Sequence, residues 1–313
     1  MEMKTIGVCL NCISILLYIS SLTTAICCLV MIIYRFDFNR HRRQYISVIS
    51  ASPFDDSITL LLFGNTYFIL TLYSTTWLTI LARTFSGDFS IFKDYFNLQD
   101  SMICRIQVGF IYVLTSALFH SFLLQALRCL FRVIFHSTLN EQTFWYLPLN
   151  YMSTYIVFIL ITWLISILFL IPAIKIFDIF SYFAEQYHCL VSFTNVRGFT
   201  YAVLSTYIIP VLIIIYIYSR LIVFVHNTCK SNDITRTTRQ IQIVKRILTI
   251  CFMLTISGFY TLFFLVQFII TKRLHPLADR IHELGVGVST IIVTFGFAYI
   301  NAFFKLLPTR SFA

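Results

Sequence analysis

The residue types able to do chemistry are few and widely spaced. Nine cysteines occur in 313 residues. Cys9 and Cys12 have the C-x-x-C spacing of a zinc or redox site, but no second pair and no nearby histidine accompanies them. They open an apolar stretch, where cysteine acts as a small hydrophobe, as do Cys27, Cys28, Cys129 and Cys251; Cys229 lies in a basic stretch. Cys104 and Cys189 stand 85 residues apart. A disulfide between them requires both on one oxidising side of the fold, where it would contribute about 2–4 kcal/mol. No phosphate loop, zinc-ligand cluster or nucleophile placed beside a base occurs. The expectation is a protein that is not an enzyme, with no cofactor and no metal.

The elements that position these residues follow from composition. The chain is 58% hydrophobic and 12% charged, against roughly 25% charged in a soluble domain. A soluble globule and a disordered chain are both excluded. Its 36 charged residues leave uncharged runs at 5–34, 57–82, 106–127, 142–174, 198–219, 247–271 and 284–304, and no other run exceeds 11 residues. A membrane helix needs about 20 apolar residues. Continuous apolarity favours helices over the alternating strands of a barrel. The expected fold is an all-α membrane protein, a single seven-transmembrane domain over 1–313. Its spans are 8–34, 57–83, 104–131, 145–174, 199–222, 243–271 and 283–304. The first run is too long for the core of a secretory signal and lacks a cleavage site.

Basic residues set the orientation. With the N-terminus outside and the C-terminus inside, the inner side holds 14 basic and 5 acidic residues and the outer side 9 and 8. The net charge of +10 thus concentrates on the inner face, where anionic lipid headgroups attract it. That removes the nucleic-acid reading of a chain with pI near 9.2. Both Cys104 and Cys189 fall outside, so the disulfide is expected.

Further residues mark individual helices. Trp163 is central in the fourth span and Pro172 near its end. Pro210 is central in the fifth, removing a hydrogen bond and kinking the helix, and Tyr218 follows two turns later. Taken in order, Cys104, Trp163, Pro172, Cys189, Pro210 and Tyr218 resemble the rhodopsin-like (class A) G-protein-coupled receptors. Leu61-Leu62-Phe63-Gly64-Asn65 is similar to the family's Leu-x-x-x-Asp, with Asn in place of the acid. The resemblance implies an extracellular ligand, a heterotrimeric G protein on the cytoplasmic face and a multi-pass place in the plasma membrane. It also implies switch positions at Asn65, Pro210, Tyr218, Gly258 and Tyr299.

This chain departs from the family pattern. Counting from Cys104, the Asp/Glu-Arg-Tyr positions fall on Arg128, Cys129 and Leu130, and either Arg128 or Arg132 takes the arginine's role. Ile256-Ser257-Gly258-Phe259-Tyr260 replaces Cys-Trp-x-Pro. Phe295-Gly296-Phe297-Ala298-Tyr299 stands where Asn-Pro-x-x-Tyr is usual. Without the arginine–acid latch, raised basal activity is expected.

The pocket is expected to be aromatic and hydroxyl-lined, built from Ile111, Tyr112, Thr115, Tyr260, Phe264 and Gln267, and to take a small neutral molecule or the end of a peptide. Ile111 occupies the position where amine receptors carry an Asp, and no Lys lies between Arg280 and Lys305 to hold retinal. Neither a monoamine nor retinal is favoured. His120 is either pH-responsive or a hydrogen-bonded interior residue. The inner face presents Arg128, Arg132, Arg236, Arg239, Lys245 and Arg246, of which the last four flank a sixth helix extended into the cytoplasm. A seven-span channel or transporter is the alternative, though such proteins ordinarily carry carboxylates at mid-membrane, and none falls within the uncharged runs.

Overall fold

A computed structural model of the chain describes residues 2–45, 53–88, 102–138, 152–183, 188–191, 195–228, 261–271 and 277–306, together with 249, 255, 258 and 259. Six helices are long and apolar enough to cross a membrane. They are α1 (Glu2–Tyr45), α2 (Pro53–Asp88), α3 (Met102–Thr138), α4 (Met152–Lys175), α5 and α7 (Ala278–Leu306). Helix α5 consists of Val196–Val203, a π-helical turn Leu204–Ile208, and Ile209–Thr228. Between α5 and α7 the described part of the expected span 243–271 is α6, the apolar helix Thr261–Thr271.

The helices overrun the uncharged runs at most ends. Absence of charge marks the apolar thickness to be crossed, whereas a helix continues for as long as its own hydrogen bonds do. The described chain is almost entirely helical, as expected, with one short hairpin added. Between α4 and α5, β1 (Phe180–Phe183) and β2 (His188–Val191) pair antiparallel, with Tyr182 opposite Cys189. This segment lacks the length of apolar chain a spanning helix needs, and strand pairing satisfies its backbone instead.

Two local features shape α5. Asn195 caps it, its side chain accepting from Gly198 N at 3.1 Å and donating to the Phe177 carbonyl. A Cβ on Gly198 would lie 2.5 Å from Ile179, so only glycine lets the helix start this close to the β1 approach. Further on, Pro210 has no N–H to give. The turn before it widens to i→i+5 bonding, with Ile209 N bonded to the Leu204 carbonyl, a standard way of absorbing a missing helical bond.

Helix α3 is the axis of the bundle. Of its most apolar window 67% is buried, against 11% for α4 and 22% for α1. The exposed side chains of α4, among them Leu160, Leu164 and Leu168, form a wide apolar surface suited to lipid. At the centre Phe297 of α7 is 2% exposed. Its ring meets Phe63 at 5.4 Å, Tyr67 at 6.3 Å and Phe122 at 5.1 Å between centroids, joining α2, α3 and α7 in preferred edge and tilted geometries.

Many polar groups inside this apolar body are matched locally. Thr66, Thr71 and Thr294 donate to carbonyls four residues back in their own helices. Others join helices. Ser21 Oγ lies 3.3 Å from Ser74 Oγ and 3.0 Å from Thr294 Oγ1, uniting α1, α2 and α7. Such contacts hold membrane helices together where lipid removes the hydrophobic drive between them.

Among the described residues one buried contact is fully ionic. At the end of the bundle nearest the strands, Arg280 of α7 grips Asp88 of α2 through two bonds of 2.8 and 2.9 Å, the side chains being 9% and 7% exposed. Arg280 also donates to the Gly7 carbonyl of α1 at 3.3 Å, and Asn11 of α1 donates to Asp88 at 3.1 Å. Removing one partner of a buried pair strands the other charge at about 3–5 kcal/mol. Asp88→Asn and Arg280→Gln are each expected to lower the thermal midpoint of the detergent-solubilised protein markedly. The double variant should recover part of that loss. Additive losses would show that the pair is not coupled.

Candidate functional site

Where α2, α3, α5, α6 and α7 converge, they enclose a cavity of about 140 Å³. Its apolar walls are Leu70, Leu118, Phe119, Phe122, Val203, Val286 and Val293. Hydroxyls come from Tyr73 (α2), Thr115 (α3), Thr206 and Tyr207 (α5), Thr261 (α6), and Ser289 and Thr290 (α7), and no charged side chain is among the described residues that line it.

Helix geometry explains why these side chains share one space. The π turn Leu204–Ile208 holds Thr206 and Tyr207, and an extra residue in a turn re-aims the side chains that follow. Tyr207 is thereby laid against Gly258. A Cβ built on Gly258 would fall 1.9 Å from the Tyr207 ring, inside any contact distance. The phenol donates to the Thr255 carbonyl at 3.3 Å, and the ring meets Phe119 of α3 edge-on at 5.2 Å. Tyr207 therefore touches α3, the Gly258 backbone and the cavity together.

Of the side chains expected in the pocket, Thr115 lines the cavity, as does Gly258, expected as a switch. Ile111, 8% exposed, is packed instead with Tyr73, Trp77 and Leu114. Tyr112, 5% exposed, is a fastening between helices: its hydroxyl lies 2.8 Å from Ser205 Oγ and donates to the Phe169 carbonyl at 3.5 Å. Phe264 is buried with Phe199, Val203 and Leu265. Gln267 is half-buried on α6, away from the cavity lining, and Tyr260 lies outside the described residues.

The expected switch positions separate. Pro210 is buried below the π turn. Tyr218 is buried in the central cluster with Phe122 and Phe297. Tyr299 is 68% exposed on the bundle's flank. Asn65 faces α3 and α4: it donates to Ser121 Oγ at 3.2 Å and accepts from Trp163 Nε1 at 3.3 Å. The α2 residues that reach the cavity are Leu70 and Tyr73.

Arg128, expected at the inner face, is 8% exposed, its guanidinium 5.5 Å from the centre of the Tyr155 ring on α4, a cation–π distance. The side chain of Arg132 and all of Arg236, Arg239, Lys245 and Arg246 lie outside the described residues. Cys189, 2% exposed, is packed with Val108 and Tyr112 of α3 and is not free; the side chain of Cys104 lies outside the described set. His120 is interior, its Nδ1 2.7 Å from the Ser116 carbonyl.

Tyr207, Thr206, Ser289 and Thr290 were not anticipated. The signal for the first two was Pro210, since a kink proline moves the residues just before it toward a neighbour. Ser289 and Thr290 lie one turn before Val293, a recurrence shared by any helix in contact on that side. No protein-family model matches the chain, and no curated protein sequence matches it.

The close contact at Gly258 makes a specific expectation. Gly258→Ala should destabilise the protein by about 1–3 kcal/mol, the usual cost of overpacking, seen as a lower thermal midpoint in detergent. In a Tyr207→Ala background the same change should cost little. An equal penalty in both backgrounds would mean that the ring is not what Gly258 accommodates.

Proposed function

We propose that this chain is a divergent seven-helix receptor of the rhodopsin-like G-protein-coupled class. A ligand in the cavity among α2, α3, α5, α6 and α7 biases two arrangements of the bundle and, by thermodynamic reciprocity, the affinity of the opposite face for a heterotrimeric G protein. The observation that carries this reading is the Tyr207–Gly258 contact, because it lies at once on the cavity wall and on the seam between the fifth and sixth helices.

Other features support it. The six apolar helices suit a multi-pass membrane protein, with the N-terminus outside as the basic residues prefer. Cys189 is packed against α3 one turn from Cys104, next to Val108, while Cys9, Cys12 and Cys27 are free; we assign Cys104 as its disulfide partner. The bond would tether β2 to the start of α3, above the cavity. Arg128 stacks on Tyr155, so among the basic residues expected on the G-protein face, Arg132, Arg236, Arg239, Lys245 and Arg246 are those left to meet the G protein.

Without an acid next to Arg128, this reading predicts basal signalling. Second-messenger output from cells expressing the unliganded protein with promiscuous G proteins should exceed that of empty vector, and Cys104→Ala should reduce surface expression and output together. Output equal to vector, with ion or solute flux appearing in liposomes carrying the purified chain, would favour a channel or transporter.

A further inference from the structure

The cavity wall has a pattern of spent and unspent hydrogen-bonding groups that points to a ligand class. Thr115 Oγ1 donates to the Ile111 carbonyl at 2.9 Å, Thr206 Oγ1 to the Ala202 carbonyl at 2.7 Å, and Thr290 Oγ1 to the Val286 carbonyl at 2.8 Å. Each has used its hydrogen within its own helix, so each offers the cavity lone pairs alone. Ser289 differs. Its side chain is 3% exposed and its Oγ has no hydrogen-bond partner among the described residues, an arrangement that costs free energy unless something in the cavity completes it.

Size and charge narrow the occupant. A cavity of about 140 Å³ is close to the roughly 150 Å³ engineered cavity known to hold benzene. Tyr73, Phe119, Phe122 and Tyr207 give it aromatic walls. No charged side chain is among the described residues that line it, so an ionised ligand would lose its hydration without a partner from them. What fits is one uncharged ring bearing a group that both donates and accepts.

We propose that the cavity binds small uncharged phenols, the ring stacked among the aromatic walls and the hydroxyl exchanging a hydrogen bond with Ser289 Oγ beside the acceptor oxygens of Thr290 and Thr115. This deepens the receptor reading and rests on it for the biological meaning of the site, while the binding itself is separable from signalling.

The test uses the purified full chain in nanodiscs, titrated with phenol, p-cresol, toluene and benzoate, with binding read by calorimetry. Phenol and p-cresol should bind saturably, toluene about tenfold more weakly, and benzoate not measurably. Because the Ser289 hydroxyl makes no bond to any described residue, Ser289→Ala should fold normally. It should lower phenol affinity about tenfold while leaving toluene unchanged, one hydrogen bond's worth of discrimination. Thr206→Val, a control on the opposite wall, should affect phenol less than Ser289→Ala does.

Equal binding of phenol and toluene, no effect of Ser289→Ala, or no saturable binding of any probe, as for a cavity holding water only, would each overturn the proposal. G-protein exchange measured on the same preparation separates the two claims. Exchange without phenol binding sinks this inference alone, and phenol binding without exchange sinks the receptor reading.

Discussion

Everything in this molecule is arranged around the cost of leaving a polar group unmatched in an apolar body. The helices answer it first at the level of sequence, through continuous i→i−4 bonding, and again through threonines that return their hydroxyls to their own carbonyls. Where a side chain cannot be satisfied at home it reaches a neighbour, and those reaches hold the bundle together. Ser21 with Ser74 and Thr294 joins α1, α2 and α7. Asn65 with Ser121 and Trp163 joins α2, α3 and α4. The Arg280–Asp88 pair extends the same principle to full charges, and its two further contacts on α1 satisfy what the pair alone would leave open.

Against that background the exceptions carry the information. Pro210 removes an intrahelical bond, and α5 absorbs the loss in a π turn that sends Tyr207 across to Gly258. Ser289 keeps a hydroxyl unmatched on the cavity wall. Both fall around one small space near the axis of the bundle, and both are affordable because the surrounding aromatic packing about Phe297 and Phe119 is dense. In the proposed receptor, a ligand would act on this cavity through the unmatched Ser289 hydroxyl and the Tyr207–Gly258 wall.

Much of the architecture was legible from where charges are missing. Six of the seven expected spans correspond to long apolar helices, and the last part of the sixth is the apolar α6. Charge placement could not show which charges a helix end would bury. Asp88 and Arg280 lie outside the uncharged runs, and only the meeting of α2 with α7 pairs them. The strands were hidden because a short segment between spans has no periodicity long enough to register. Within the site, Thr115 and Gly258 were found by counting turns from Cys104 and by the gap in the sixth span. Ile111 and Tyr112 come from the same count but turn into neighbouring helix contacts, since spacing along a helix does not reveal which face meets which neighbour. Tyr207 and Ser289 depended on an irregular turn and on a tertiary absence, neither visible in one sequence.

The central claim is that the Tyr207–Gly258 contact couples the cavity to the opposite face of the bundle. The most direct measurement is the rate of GTP analogue uptake by heterotrimeric G protein added to the chain in nanodiscs, compared between wild type and Tyr207→Ala with folding verified for both. The account predicts uptake above that of empty nanodiscs for wild type, and a rate altered severalfold by Tyr207→Ala. Uptake identical among wild type, variant and empty nanodiscs would contradict it.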